Sequence, residues 1–178
     1  IDNAITPCTL YKVEGENITL PLKVKAIKAK TIEQSSDESI KDPKILAFDI
    51  ETYNKDENAV FSRETPILMI GLYSNNFERV INGKHFKKDN KNIEFVKSEA
   101  ELLQRFIDLI NQQAPDIITG YYSDGIDMPY IHDRARKYKI DLKIGLDHSA
   151  LKISGRQIKT AHINGIVHLD VFRFARNV

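Results

Sequence analysis

Two acidic residues stand near the end of an apolar stretch of this sequence. Asp49 and Glu51 are separated by one residue within segment 45–51, whose other members are all apolar. Side chains two positions apart on a β-strand project from the same face, about 6.6–6.8 Å apart along the backbone. Neighbouring carboxylates repel each other unless a proton or a cation intervenes, and Mg²⁺ prefers oxygen ligands of this kind. The pair predicts a divalent-metal site. The alternative interpretation is a strand that ends in solvent at Asp49.

Asp127 is a third acidic candidate. It follows the turn-rich segment 123–125 and precedes Pro129, so one interpretation makes it the cap of a helix N-terminus. In the other interpretation, a strand–turn–helix unit brings Asp127 to the same end of a sheet as Asp49 and Glu51. The residues alone leave both interpretations open.

The elements that must position these carboxylates lie in the larger of two predicted parts of the chain. Hydrophobic patterning predicts strands at 45–51, 66–73, 77–81 and 116–121, helices at 98–111 and 128–138, and a β-hairpin over 153–171. The connections between the first three strands are too short for helical crossovers, which indicates an antiparallel meander. The first strand is expected to be buried on both faces because its apolar run is nearly continuous. Strands followed by strand–helix units predict an α/β fold with a mixed β-sheet and flanking helices.

The first 43 residues differ from the rest of the chain. Apolar residues alternate with lysines in segment 20–30, which predicts an edge strand, and the polar, acidic segment 31–43 predicts a linker. The chain begins at Ile1 rather than Met and stops at Val178 within an apolar-patterned stretch, so both ends are expected to be cut. We therefore predict a short partial N-terminal domain segment with its linker at 1–43, and the main domain at 44–178.

Composition excludes several classes of protein. The chain is 42% hydrophobic and 29% charged, as ordered globular domains are, and no apolar run approaches the roughly 18–20 residues that span a bilayer. Cys8 is the only cysteine, so no internal disulfide can form, which fits a reducing, intracellular compartment. Segment 33–57 carries eight acids against three lysines, whereas segment 132–159 carries eight lysines and arginines against three aspartates. This contrast is what a metal-dependent enzyme acting on a polyanion needs, although two oppositely charged solvated faces explain it more simply. The five histidines form no ligand pattern.

Several segments together resemble the family B DNA polymerases. Segment 48–52 (FDIET) resembles the family's first exonuclease motif, and segments 116–121 (DIITGY) and 127–131 (DMPYI) resemble the second. Three further segments match in order: 4–7 (AITP), like the family's connection between the N-terminal and exonuclease domains, 98–103 (SEAELL), and 167–172 (VHLDVF), like the strand after the family's hairpin. The chain thus resembles an N-terminal fragment that carries most of the 3′→5′ exonuclease domain.

The resemblance implies a ribonuclease-H-like fold and a proofreading function. It makes Asp49, Glu51 and Asp127 the catalytic residues and the ligands of two divalent metal ions, Mg²⁺ or Mn²⁺, in hydrolysis of the 3′-terminal phosphodiester of DNA by a two-metal mechanism. The implied partners are the single-stranded 3′ end of a primer, the remaining domains of a DNA-directed DNA polymerase, and a sliding clamp. The implied location is the cytoplasm or nucleoid of a prokaryote, or the nucleus of a eukaryote. The family's third motif, with a tyrosine and a fourth carboxylate, has no counterpart before Val178. The fragment alone is therefore expected to bind metal weakly and to hydrolyse DNA poorly or not at all.

Two positions depart from the family pattern. Tyr122 stands where the family usually has Asn, and Ile126 where it usually has Phe. A tyrosine can stack on a base but cannot reproduce the paired donor and acceptor of an amide, and Ile126 can pack but not stack. With Thr52, these two residues are the substrate-binding candidates. The departures keep one other interpretation open, a degenerate exonuclease domain that acts as a DNA-binding or scaffolding module. A stand-alone nuclease of the same fold is a further alternative.

Overall fold

The computed structural model describes residues 5, 9–39, 41–53, 65–87 and 90–176. These residues form ten strands and three helices. In chain order they are β1 (Thr9–Ile18), β2 (Ala26–Ser39), β3 (Ile45–Thr52), β4 (Ile67–Ser74), β5 (Phe77–Asn82), β6 (Ile93–Phe95), α1 (Glu99–Gln113), β7 (Ile117–Gly120), α2 (Asp127–Lys137), β8 (Lys152–Ser154), β9 (Thr160–His162), β10 (Val167–Asp170) and α3 (Val171–Arg176). Within these ranges, no helix is long and apolar enough to cross a membrane.

Six strands form one mixed sheet in the order β10-β7-β3-β4-β5-β6. The β3-β4-β5 part is an antiparallel meander, as predicted, and β7 and β10 extend it with parallel pairing on the other side of β3. The short strand β6 pairs in parallel with β5 and was not predicted, because three residues carry too little pattern to be recognised. The predicted α/β fold with a mixed sheet and flanking helices is confirmed.

The hydrophobic core lies against one face of this sheet. Leu46 and Phe48 of β3 are buried there with Leu72 of β4, and α1 packs against β4 and β5 on that face. On the opposite face Ile45 and Tyr73 are exposed. The prediction that strand 45–51 is buried on both faces is therefore wrong for the residues that the structure describes. Burial alternates along β3 because only one face of this strand lies against the hydrophobic core.

The two longer helices begin and end close to the predicted residues. The Ser98 side chain caps α1 by accepting the Glu101 N–H at 3.2 Å, and the Glu101 carboxylate accepts the Lys97 N–H at 2.7 Å. This arrangement is a capping box displaced by one residue. Ala114 closes the helix in a left-handed conformation, with its N–H bonded to the Ile110 carbonyl. Helix α2 begins at Asp127, one residue before the predicted start.

A buried ion pair joins α1 to α2. The Glu99 carboxylate accepts hydrogen bonds from Arg134 Nε at 2.7 Å and from the Ile67 N–H at 2.8 Å, and it also contacts Arg134 Nη2. The side chains of both members of the pair are at most 5% exposed. Arg134 belongs to the basic segment 132–159, so that segment is not a single solvated surface. Arg134, the most buried cation of this segment, pairs with the first residue of α1 and thereby holds α2 against α1.

Strands β1 and β2 form a separate two-stranded antiparallel sheet. The predicted linker at 31–43 is wrong, because residues 31–39 belong to β2 and pair with β1. The polar residues of this segment belong to a two-stranded ribbon that is mostly exposed over residues 10–35, and in such a ribbon polar composition does not distinguish a strand from a linker. The following contacts connect this part to the rest: the Lys23 N–H donates to the Leu146 carbonyl at 2.8 Å, and Lys23 Nζ donates to Asn111 Oδ1 at 2.7 Å.

The predicted hairpin over 153–171 is shorter than expected. Only β8 and β9 form the hairpin, with Gly155 at φ 84° in the connection. A second turn at Gly165 then directs the chain into β10, which pairs with β7 in the main sheet. The alternating pattern over 153–171 therefore covers two separate strand pairings, β8 with β9 and β10 with β7. Strand β10 is the element that completes the surroundings of the site.

Candidate active site

Asp49 and Glu51 lie on the open face of the main sheet. Both are exposed on β3, and the strand continues to Thr52, so Asp49 does not mark its end. Asp49 pairs across the sheet with Gly71, where an added Cβ would meet no atom within 4 Å. A cavity of about 500 Å³ lies over this part of the sheet, with Asp49 and Arg79 in its lining. The predicted projection of both carboxylates from one face agrees with the alternating burial of β3.

Asp127 occupies a very different environment at the first residue of α2. It is 6% exposed, and its Oδ2 is buried without a hydrogen-bond partner. Burial, and after it the negative charges of Asp49 and Asp170, raises the pKa of Asp127 to about 7. The N-cap position of α2 belongs to Ile126, and no side chain caps it. The interpretation of Asp127 as a helix cap is therefore wrong.

The ends of β7 and β3 explain how Asp127 approaches Asp49. Pairing between these strands stops at Ala47 and Thr119, so β3 continues past the point where β7 ends at Gly120. A Cβ on Gly120 would lie 3.1 Å from the Phe48 carbonyl, which shows how closely the departing chain passes β3. The turn at 121–126 then leads the chain into α2, whose first residue, Asp127, lies close enough to Asp49 of β3 to interact with it electrostatically.

The three predicted carboxylates are not gathered into one compact cluster. Asp49 and Asp127 interact electrostatically, whereas Glu51 is exposed on β3. In the part of the chain that the structure describes, no group of three or more His, Cys, Asp or Glu side chains is close enough to hold a metal ion. The geometry thus brings together two of the three residues and leaves the third on the same strand face.

A buried carboxylate that sequence analysis did not single out fastens the turn. Asp170, at the end of β10, is 4% exposed and accepts the backbone N–H groups of Tyr122, Asp124 and Phe172, each at 3.0 Å. Asp170 therefore fixes the turn in space and also adds negative charge near Asp127.

Asp124 ties the same turn to the hairpin and to α3. Its carboxylate accepts the Ala161 N–H at 2.7 Å, pairs with the Arg173 guanidinium at 2.7 Å, and lies 3.3 Å from the His168 ring. The other ring nitrogen of His168 is 2.9 Å from the Ser123 hydroxyl, and burial lowers the pKa of this histidine. No sequence pattern indicated this network, because serine, aspartate and glycine at 123–125 match an ordinary exposed turn.

The substrate-binding candidates lie around these carboxylates. Tyr122 has a left-handed backbone at φ 57°, which costs a bulky residue roughly 1–2 kcal/mol, and its ring meets Phe172 edge-on at 5.0 Å. Ile126 is half-buried at the N-cap of α2. Thr52 is half-buried where the pairing of β3 with β4 shifts register. Strained residues concentrate at functional sites, so the backbone conformation supports Tyr122 most strongly among these three substrate-binding candidates.

Comparison with known proteins accounts for this architecture. The family model of the exonuclease domain of DNA polymerase family B matches residues 1–178. The chain belongs to this family. A DNA polymerase of Methanocaldococcus jannaschii is 34% identical over the whole chain, and one of Pyrococcus glycovorans is 38% identical over 75% of it. The family B DNA polymerase from the hyperthermophilic archaeon Pyrobaculum calidifontis superposes with a TM-score of 0.77 at 20% identity, over 98% of this chain and 21% of that structure.

These matches confirm the resemblance found in the motifs and support the ribonuclease-H-like fold. They also set the scale of the protein. The chain spans 10% of the Methanocaldococcus relative and 17% of the Pyrococcus relative. It is thus an exonuclease-domain sequence whose matched relatives are far longer polymerases.

Proposed function

We propose that this chain hydrolyses the 3′-terminal phosphodiester of a single-stranded DNA end, as the proofreading unit of a DNA polymerase. Asp49, Glu51 and Asp127 would be its catalytic carboxylates and would hold two divalent cations, Mg²⁺ or Mn²⁺. One observation carries the proposal: in a chain of this exonuclease family, a buried carboxylate with an unpartnered oxygen lies beside a second carboxylate.

The donor set fits hard divalent cations. Carboxylate oxygens are their preferred ligands, and the repulsion between Asp49 and Asp127 is what a bound cation would remove. The buried Oδ2 of Asp127 has a free acceptor position for such an ion. When bound, the two cations would supply activation of a water molecule and neutralisation of the charge on the leaving 3′ oxygen.

The side chains around the carboxylates divide the remaining tasks. With a pKa of about 7, Asp127 is partly protonated at neutral pH and must release that proton before it can act as an anionic ligand. Asp49 and Glu51 reach the site from the open sheet face, which leaves room for a nucleic acid strand. Thr52, Tyr122 and Ile126 would contact that strand, Tyr122 by stacking on a base.

The partners proposed for the whole protein rest on the resemblance of its motifs to those of family B DNA polymerases. The 3′ end of a primer would be the substrate, the remaining polymerase domains would deliver it, and a sliding clamp would hold the polymerase on DNA. We retain the division into a partial N-terminal segment at 1–43 and an exonuclease domain at 44–178 as part of this proposal.

Degradation of a 5′-labelled primer with a 3′ mismatch tests the activity. We expect the 178-residue chain to shorten the primer slowly from its 3′ end with Mn²⁺, because the third motif of the family has no counterpart in it. Asp49→Ala should abolish the shortening, whereas Asp108→Ala, a change at an exposed acid on α1, should not. Shortening that persists in Asp49→Ala would contradict the assignment of this residue.

Metal binding can be measured without turnover. Calorimetric titration with Mn²⁺ should show weak binding that is lost in Asp49→Ala and kept in Asp108→Ala. Identical titrations of the chain and its Asp49→Ala variant would show that these carboxylates do not hold the metal.

A degenerate, DNA-binding domain is the second candidate function. Tyr122 and Ile126 favour it, because both replace residues that the family usually presents to its substrate. Proofreading of a mismatched primer by the complete polymerase would exclude this candidate. A complete polymerase that binds the primer but never shortens it would establish it.

A further inference from the structure

A buried histidine connects β10 to the turn at 121–126. The side chain of His168 is 3% exposed, and each of its two ring nitrogens has a partner in this turn. Nε2 lies 2.9 Å from the Ser123 hydroxyl, and Nδ1 lies 3.3 Å from the Asp124 carboxylate. These two contacts on one planar ring fix two consecutive residues of the turn relative to β10.

The partners of the ring determine where its hydrogen lies. An ionised carboxylate only accepts hydrogen bonds, and Asp124 also pairs with the Arg173 guanidinium at 2.7 Å. His168 Nδ1 therefore carries the hydrogen that faces Asp124. Burial lowers the pKa of His168, which favours the neutral ring. In that ring Nε2 accepts the hydrogen of the Ser123 hydroxyl, a tautomer assigned from the hydrogen-bond partners.

Ser123 carries the contact from β10 to α2. It is 0% exposed, and its carbonyl accepts the Met128 N–H at 2.9 Å. Met128 directly follows Asp127, and no side chain caps α2, so the Ser123 carbonyl satisfies one of the N–H groups that a helix leaves free at its start. A Cβ on Gly120 would lie 2.9 Å from the Ser123 Cβ, so Ser123 also lies against the end of β7. A shift of Ser123 would therefore move the first turn of α2 and, with it, Asp127.

Asp170 holds a different part of the same turn. Its carboxylate accepts the N–H groups on either side of Ser123, those of Tyr122 and Asp124, each at 3.0 Å. These bonds fasten the turn to β10 but do not themselves reach α2. The Ser123 carbonyl passes from the turn to the helix, so the ring that holds Ser123 lies on the direct path from β10 to the start of α2.

We propose that His168 and Ser123 are positioning residues for Asp127. The His168 ring fixes the Ser123 hydroxyl, the Ser123 carbonyl fixes the start of α2, and the Asp127 carboxylate is thereby held in place. The proposal rests on the proposed exonuclease function and deepens it, because it gives two residues that touch neither metal nor DNA a role in metal affinity.

Two replacements of His168 separate its two contacts. A glutamine amide reaches the position of Nε2 and can accept the Ser123 hydroxyl, whereas an asparagine amide reaches only the position of Nδ1 and can donate to Asp124. Both replacements are neutral and both remove the ring, so they differ chiefly in the contact that they keep. His168→Gln should preserve the position of Asp127, and His168→Asn should not. Ser123→Ala, which removes the hydroxyl, should act like His168→Asn.

Hydrogen exchange of the Met128 amide measures this contact without metal, in the 178-residue chain in EDTA and by NMR. His168→Asn and Ser123→Ala should each accelerate the exchange about fivefold, as expected for loss of one neutral hydrogen bond. The two substitutions together should accelerate it no further, and His168→Gln should stay within about twofold of the parent chain because it keeps the bond. The Gly83 amide, which donates to the Leu68 carbonyl at 2.8 Å directly after β5, reports general destabilisation and should exchange alike in all variants.

A second serine–histidine pair provides the matched control. The Ser154 hydroxyl lies 2.8 Å from His162 Nε2 in the exposed hairpin of β8 and β9. His162→Asn removes the same kind of hydrogen bond away from the turn. This variant should keep Met128 exchange and Mn²⁺ affinity within about twofold of the parent chain, as a surface substitution does.

Calorimetry with Mn²⁺ at pH 8 measures the consequence for the proposed site. His168→Asn and Ser123→Ala should bind Mn²⁺ about tenfold more weakly than the parent chain, in the range found for residues that orient a metal ligand without touching the metal. His168→Gln should bind within about threefold of the parent chain, since it keeps the contact with Ser123.

Several results would overturn the positioning role. They are equal acceleration of the Met128 and Gly83 amides, additive effects of His168→Asn and Ser123→Ala, His168→Gln that behaves like His168→Asn, and faster Met128 exchange with unchanged Mn²⁺ affinity. A parent chain that binds no Mn²⁺ would instead contradict the proposed function. The exchange rates in EDTA would still decide whether His168 and Ser123 hold the start of α2, so the two failures are distinguishable.

Discussion

The proposed catalytic carboxylates reach the site from two regions that are built differently. Asp49 and Glu51 are exposed on the open face of β3, where regular strand geometry sets their direction. Asp127 is buried at the start of α2, next to a turn that is held by two further buried acids. The first region is specified by alternation along one strand. The second depends on contacts between residues that are 37 to 49 positions apart in the chain.

This difference indicates which of the proposed ligands destabilises the metal-free chain. The exposed carboxylates of Asp49 and Glu51 on β3 keep their hydration. Burial and two neighbouring negative charges make the ionised form of Asp127 unfavourable in the absence of metal. A site of this kind is destabilising until a cation neutralises it, which is expected where function conflicts with stability.

The largest expected effect concerns the support of the second region. Asp170→Ala leaves the N–H groups of Tyr122, Asp124 and Phe172 without their acceptor. Each unsatisfied buried N–H costs about 1–3 kcal/mol, so we expect the free energy of unfolding in urea and EDTA to fall by about 3–5 kcal/mol. Asp116→Ala is the control, because Asp116 is exposed and accepts one N–H, from Lys44 at 2.8 Å. Asp116→Ala should lower the free energy of unfolding by about 1 kcal/mol or less. Equal losses in the two variants would show that Asp170 supports the turn no more than an exposed aspartate would.

The next effect is the pH dependence of the metal-free chain. Between about pH 4, where an unfolded aspartate loses its proton, and the folded pKa of about 7, the folded state retains a proton on Asp127 that the unfolded state has released. Folding then binds a proton, so the contribution of Asp127 to stability is most favourable below this window and falls as pH rises through it. The slope is up to about 1.4 kcal/mol per pH unit.

Asp127→Asn isolates that contribution. The amide does not titrate, so the variant should gain stability relative to the parent as pH rises from 4 to 7, while titrations elsewhere, such as that of His168, cancel in the difference. Unfolding in urea at pH 5, 6, 7 and 8 provides the measurement. Parallel curves for parent and variant would show that Asp127 ionises in the folded state as readily as in the unfolded one.

Metal binding should show the opposite dependence on pH. A cation at Asp127 displaces its proton, so apparent Mn²⁺ affinity of the parent chain should be about tenfold weaker at pH 6 than at pH 8. Asp127→Asn should bind Mn²⁺ at least about tenfold more weakly at pH 8 and lose this dependence. Calorimetry at the two pH values decides, and a pH-independent affinity in the parent chain would place the metal away from Asp127.

The two regions also differ in how far the sequence predicts them. The apolar run around Asp49 and Glu51 specifies a strand, and the period of two specifies a shared face, so local pattern is sufficient there. The motif at 127–131 indicates a helix start, but burial of Asp127 follows from tertiary packing. Asp170 and Asp124 resemble ordinary strand-end and turn residues, since nothing local reveals which backbone N–H groups they will meet.

Errors elsewhere in the fold have the same physical origin. The segment 31–39 is polar enough to be a linker, yet it pairs with β1 as part of β2. The apolar run of β3 indicated two buried faces, but among the described residues the core lies against only one face of this strand. In each case local composition was correctly recognised, and the neighbour that decides the environment was distant in sequence.

A smaller effect is expected from the strained backbone at the edge of the second region. Tyr122 has φ 57°, a conformation that glycine adopts freely. Tyr122→Gly should therefore be less destabilising than Tyr122→Ala by about 1 kcal/mol, because both lose the ring and only glycine loses the strain. Urea unfolding of the two variants measures the difference. Equal stabilities would mean that the turn relaxes out of the left-handed conformation once the ring is gone.

The smallest expected effect is that of Glu51→Gln, which compares an exposed proposed ligand with the buried Asp127. Glu51 is proposed as a metal ligand like Asp127, but it is exposed on an open strand face. Glu51→Gln should thus change the free energy of unfolding in EDTA by no more than about 0.5 kcal/mol at any pH between 5 and 8, while weakening Mn²⁺ binding. A pH-dependent stabilisation like that of Asp127→Asn would show that Glu51 shares the buried environment. If Glu51→Gln weakens Mn²⁺ binding without changing stability, then of these two proposed ligands only Asp127 destabilises the metal-free chain.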